Sequence, residues 1–168
     1  MPALYAQPYD LSANGFYFES MENYAAKADS NCNDYGNPVE EYEIQFIDGD
    51  QMDRDLAKAW GINQANTGQY LEACESWDDH DKLVFIIAVG EVGYSFDPAT
   101  VSPSDFDVDI YRVDSMKELA EQFVEEGLFG EIPEHLAHYI DLDSIANDLA
   151  MDYTETEITG QRLVYRAV

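Results

Sequence analysis

The chain has 168 residues, 46% of them apolar and 13% aromatic, and sets 35 Asp and Glu against 8 Lys and Arg for a formal net charge of −27. Regular apolar periodicity and the aromatic content exclude a disordered acidic tail, and the charge excludes nucleic acid as a direct ligand. The longest apolar run, Leu83 to Val89, is core-sized and far below the roughly 18 residues of a membrane span.

Residues 1–47 are rich in Tyr and Phe and are broken by Pro8, the Asn14-Gly15 turn and the Asn31 to Pro38 loop. They are expected to form a small β-rich unit with strands near Ala3 to Gln7, Phe16 to Phe18 and Tyr42 to Ile47. A short helix from Met21 to about Asp29 is expected after Ser20 as its cap.

Residues 48–96 read as a central helical unit with three capped starts. Asp50 precedes a helix with Met52, Leu56, Ala59 and Trp60 on one face; Gly61 ends it, and Asn63 caps a second that carries Leu71, Cys74 and Trp77. Asp78 and Asp79 then open a third. Its apolar run from Leu83 to Val89 suits a buried helix or a buried strand by periodicity, and the acidic start favours helix.

Residues 97–168 form the C-terminal unit. A loop spans Pro98 to Pro103, and Asp107 to Val113 then alternates as a strand with Asp107 and Asp109 on one face, about 7 Å apart. From Ser115 to Tyr153 nearly every local signal is helical. Ser115 with Glu118 reads as a capping box, and Met116, Leu119, Ala120, Phe123 and Val124 make an apolar stripe that Gly127 closes. Glu118, Glu121 and Glu125 form a row on the opposite side. After a break at Gly130, Pro133 suits the start of a short helix, and Asp141 or Asp143 caps another with Leu142, Ile145, Ala146, Leu149, Ala150 and Tyr153 facing inward. Asp148 and Asp152 face out. Thr154 to Ile158 and Gln161 to Arg166 close the chain as a hairpin about Thr159-Gly160, with Glu157 opposite Arg162 as a cross-strand ion pair. The expected architecture is α+β: an elongated chain of an N-terminal small sheet, a central helical bundle and a C-terminal antiparallel sheet with helices.

The run Leu128-Phe129-Gly130-Glu131-Ile132-Pro133-Glu134, with Tyr139-Ile140-Asp141 and Ile145-Ala146-Asn147-Asp148-Leu149, resembles the signature region of the ArdA antirestriction proteins. The resemblance implies an acidic protein, a homodimer rather than an enzyme, that imitates bent duplex DNA. It also implies a target, the groove formed by the specificity and methylation subunits of type I restriction-modification enzymes, and hence evasion of host defence by a mobile genetic element.

The charge supports the same class independently. Duplex DNA carries one negative charge per about 1.7 Å of axis, so 27 charges match about 46 Å, or roughly 13 to 14 base pairs. The residues expected to meet the partner are Asp107, Asp109, Glu118, Glu121, Glu125, Asp148 and Asp152, acting as an ensemble. Leu128 and Phe129 either close the core or form a dimer seam. The alternative from another class is an acidic adaptor or chaperone for basic nucleoid or other DNA-binding proteins, and a high-salt cytoplasm would by itself favour an acidic surface.

No cofactor or metal is expected. His135 and His138 stand three apart with no third ligand marked by spacing, and Asp105-Phe-Asp107-Val-Asp109 lacks the glycine and closing glutamate of a calcium loop, having Ile110 and Met116 there. Cys32 and Cys74 read as free thiols of a reducing compartment, and with no charged-then-apolar leader at Met1 the expected location is cytoplasmic.

An acidic surface without counter-ions repels itself. The thermal midpoint of the isolated protein should rise between low and physiological salt, as screening relieves that repulsion. A midpoint that falls over this range in a calorimetric salt series would contradict an unpaired acidic surface.

Overall fold

The computed structural model describes residues 1–168. Contacts divide the chain into two compact units, Met1–Phe106 and Asp107–Val168. Each unit holds a three-stranded antiparallel sheet and helices, so the class is α+β. No helix is long and apolar enough to cross a membrane.

In the first unit β1 (Ala3–Pro8) is the central strand, flanked by β2 (Phe16–Phe18) and β3 (Tyr42–Asp48). Its alternation decides this position: Leu4, Ala6 and Pro8 are buried, and Leu4 pairs with Phe18 on one side and Phe46 on the other. The Asn14-Gly15 turn needs its glycine for space, because a Cβ there would stand 2.4 Å from the Ala6 carbonyl oxygen. Helix α1 (Met21–Asp29) begins where expected, with the Ser20 hydroxyl accepting the Asn23 N–H at 3.1 Å. It buries no residue fully and attaches through Tyr24, whose ring lies 5.0 Å from Phe18 and 6.0 Å from Tyr42.

Three helices follow: α2 (Gln51–Trp60), α3 (Thr67–Ser76) and α4 (Asp79–Phe85). Asp50 and Asp78 cap α2 and α4 as expected, accepting the Asp53 and Asp81 N–H groups at 2.7 and 2.8 Å. Gly61, at φ 63°, ends α2; its N–H and that of Ile62 close onto the carbonyls of Lys58 and Ala57. The start of α3 differs from the expectation. Asn63 does not cap the helix; its side-chain oxygen accepts the N–H groups of Ala65 and Asn66 at 2.8 and 3.1 Å, forming the turn before it. Asn66 takes the cap position, with its own side-chain oxygen turned back to the Asn63 N–H at 2.8 Å. The Leu83 to Val89 run is helical, as the acidic start favoured, but α4 continues as a π-helix over Ile86–Val92 that Gly93 stops. Lys82 to Ala88 are all buried.

An aromatic cluster packs among these helices, with Trp60 and Phe85 touching each other and both Trp77 and Phe96 at centroid distances of 4.8–5.6 Å. The same helices hold an ion pair that periodicity does not announce. Lys82 Nζ donates to Asp53 Oδ1 at 2.7 Å with both side chains at most a tenth exposed. Burial alone would depress the lysine's pKa, but the hydrogen bond and charge of Asp53 outweigh it and the net shift is upward. Tyr70 donates its hydroxyl to the Asp53 carbonyl at 2.8 Å. The Cys74 thiol beside them is pushed up to about 12 by burial, so it is held as the neutral thiol.

In the second unit β4 (Val108–Tyr111), β5 (Thr154–Ile158) and β6 (Gln161–Ala167) form a sheet in the order β4–β6–β5. Against it pack α5 (Met116–Glu125) and α6 (Leu142–Leu149), joined through a 3₁₀ helix over Glu134–Tyr139. Val113, Met116, Leu119, Phe123 and Val164 make the core, with Tyr111, Ala146, Leu149 and Tyr153 around it. The hairpin turns at Thr159 and Gly160, both at positive φ, as a two-residue turn between right-twisted strands requires.

Four details depart from the expectations. The first strand is shorter than Asp107 to Val113. Glu118 does not complete a capping box on Ser115; its carboxylate reaches one residue further and accepts the Asp114 N–H at 2.7 Å. Ala150 is exposed, because α6 ends at Leu149 and the chain turns outward there. Glu157 faces Arg162 in the register, yet the arginine that makes an ion pair is Arg166, with Asp109 on β4 at 2.8 Å.

Lys82→Met should destabilise the protein by about 3–5 kcal/mol in chemical denaturation, because Asp53 is left charged, buried and unpartnered. The double variant Asp53→Leu, Lys82→Met should recover most of that loss. A single-variant loss below about 1 kcal/mol would mean the pair is solvated in solution.

Candidate functional site

Helix α5 presents a row of outward charge. Its inward face, Met116, Leu119, Ala120 and Phe123, is buried, which fixes the rotation of the helix and turns Glu121 and Glu125 to solvent. Glu118 and Glu125 lie seven residue steps apart, about 10.5 Å of helix axis, with Glu121 between them, so the backbone positions of the row recur about every 5 Å. One DNA strand places a phosphate every 3.4 Å or so, and a second acidic row is needed to approach that density.

Helix α6 supplies one. It packs on α5 through Ala146 and Leu149, which line the Met116–Phe123 core, and the two helices are tied at the surface by Lys117 and Asp143 at 3.2 Å. Asp148 is exposed on α6, and Asp152 is exposed in the turn just beyond it. Asp141 caps α6, and the hydrogen bonds it accepts from Ser144 hold its carboxyl below the usual range. Asp107 is exposed immediately before β4.

Two of the seven residues expected at the partner surface have structural partners. The Asp109 carboxylate is half-buried against Arg166, whose own pKa it raises and whose guanidinium carbon lies 5.3 Å from the centre of the Tyr153 ring. Glu118 holds the turn before α5, though its side chain stays at the surface. The outward set is therefore Asp107, Glu121, Glu125, Asp148 and Asp152. Sequence reasoning overlooked Glu126 and Glu131, both exposed and both lining a cavity of about 630 Å³ beside α5. The signal was present in their placement next to Gly127 and Gly130, the residues at φ 76° and 95° that turn the chain around that cavity.

Leu128 and Phe129 are 61% and 53% exposed, so closing the core is not their principal role. Phe129 touches the core only at its edge, 6.4 Å from Phe123. Leu136, Tyr139 and Met151 are exposed in the same unit. His135 and His138 are exposed on the 3₁₀ helix, and no group of three or more His, Cys, Asp or Glu is arranged to hold a metal ion.

Exposed carboxylates displayed on packed helices, α5 over a buried apolar face and α6 over a half-buried one, define the class: a folded protein with an acidic surface. Sequence comparison matches residues 68–161 to the antirestriction protein (ArdA) family, a stretch from α3 to the start of β6. More than half of the chain is matched, and the chain belongs to this family of inhibitors; its function is antirestriction, and its partners are restriction enzymes. No curated protein matches the chain.

Exposed charge pairs are worth about 0.2–1 kcal/mol each. Replacing any one of Asp107, Glu121, Glu125, Asp148 or Asp152 with its amide should therefore change inhibition of restriction by no more than about fivefold. All five together should weaken it by tenfold or more in a titration of restriction activity. A hundredfold loss from one amide would instead define a discrete site.

Proposed function

We propose that this chain blocks restriction by imitating duplex DNA, filling the DNA-binding groove formed by the specificity and methylation subunits of a type I restriction-modification enzyme. The observation that carries the reading is the display of carboxylates on packed helices: the exposed acids of α5 stand opposite a buried apolar face, and those of α6 opposite a half-buried one. Lys and Arg side chains that line a DNA groove accept phosphates largely without regard to base identity. Carboxylates held at comparable density compete for the same side chains and release the cations condensed around the acidic surface. Occupancy is the whole mechanism, with no bond made or broken and no cofactor.

Such an inhibitor acts in the cytoplasm, where it protects incoming DNA carried by a mobile genetic element. It acts as a homodimer whose seam includes the exposed Leu128 and Phe129. Dimerisation doubles the length of charge presented and matches the two-part recognition sequence such a groove grips.

A competition titration tests this directly. A type I methyltransferase bound to a labelled duplex should release it at near-stoichiometric inhibitor, and the apparent affinity of the inhibitor should fall steeply as salt is raised. Failure to displace the duplex at either salt concentration would overturn the reading and direct the search to other basic partners.

A further inference from the structure

The cavity beside α5 sets apolar side chains among its carboxylates. Val124, Ile132 and Leu142 are half-buried along its base, while Glu121, Glu125 and Glu131 stand exposed at its margin. It has a volume of about 630 Å³ and opens to solvent. Its shape comes from the end of α5, where the N–H groups of Gly127 and Leu128 close onto the carbonyls of Val124 and Phe123 at 3.2 and 3.0 Å. The chain then leaves the helix axis and returns through the 3₁₀ helix, leaving the groove between.

Duplex DNA has nothing of this kind on its backbone. A groove with a greasy base and a ring of carboxylates is complementary to an apolar side chain flanked by arginines, whose methylene stems extend over the apolar base while the guanidinium groups meet the glutamates. We propose that this groove is a docking site for an arginine-flanked apolar side chain on the surface of the basic partner. It anchors the inhibitor through apolar burial that salt does not screen, in addition to the distributed charge. The identification of that partner as a restriction enzyme rests on the function proposed above; the chemistry of the groove does not.

The test uses the intact protein and two synthetic nine-residue peptides, one with a single leucine between arginine-rich flanks and the other with serine in place of the leucine. Both are titrated at physiological salt while backbone and methyl resonances are followed. The leucine peptide should bind about tenfold more tightly than the serine peptide, with shifts concentrated at Val124, Ile132 and Leu142. Ala137 is exposed and lines the groove, so Ala137→Trp should fill it from outside and abolish the difference between the peptides. Equal affinity of the two peptides for the unmodified protein, or shifts spread over the whole acidic surface, would overturn the proposal. An Ala137→Trp variant that changes from dimer to monomer in light scattering but keeps the peptide preference would also overturn it, assigning the groove to a second copy. No restriction enzyme enters these titrations, so failure of the docking site and failure of DNA imitation are separately visible.

Discussion

Mutual repulsion among 35 carboxylates, opposed by only eight basic side chains, is the constraint around which both units are built. Ion pairing cannot hold such a chain together, so apolar burial must. The response is aromatic: Trp60, Trp77, Phe85 and Phe96 in the first unit, and Tyr111, Phe123 and Tyr153 in the second, the latter in contact at 5.3–5.9 Å. Aromatic rings bury the most area per residue, which suits short helices with little length over which to distribute burial. Self-repulsion is also limited by placing acids where the backbone wants negative charge. Asp50, Asp78 and Asp141 sit at helix N-caps, and Glu155 accepts the Met116 N–H in the first turn of α5.

The few bases are placed selectively. Lys82 is buried against Asp53, Arg166 ties β6 to β4 through Asp109, and Lys117 joins α5 to α6 through Asp143. These pairs are unequal. The Lys117–Asp143 pair is well exposed and contributes little, the Arg166–Asp109 pair is half-buried, and the Lys82–Asp53 pair is removed from water and bridges α2 and α4. The protein thus neutralises locally where packing demands it and leaves the outward faces of α5 and α6 dominated by negative charge. That division makes an acidic surface compatible with an ordered one.

The signature stretch joins several surface features through one turn of the chain. Gly127 and Gly130 are needed at positive φ to end α5 and to turn the chain, and the turn they make both exposes Leu128 and Phe129 and opens the groove over Val124 and Leu142. Charge, an exposed apolar pair and a cavity are brought within one short segment because a single helix termination produces all three. The surfaces proposed for partner recognition and for self-association are therefore neighbours in the same unit.

The sequence by itself determined the local structure. Caps at Ser20, Asp50, Asp78, Ser115 and Asp141, the glycine stops, the hairpin at Thr159-Gly160 and the acidic row on α5 are all consequences of interactions within a few residues, and they are legible for that reason. The family could be read from a short signature on the same grounds. Only the tertiary structure decided what depends on residues distant in the chain. Asp53 and Lys82 meet across 29 positions, and Asp109 and Arg166 across 57. Those pairings remove Asp109 from the free surface and bury a lysine that composition would assign to solvent. The groove at Gly130 was equally hidden, since Val124, Ile132 and Leu142 become one floor only when α5, the loop and α6 fold together. Alternation and helical period fix which face of an element is apolar, but not which other element covers it, and that second choice decides which carboxylates remain for a partner.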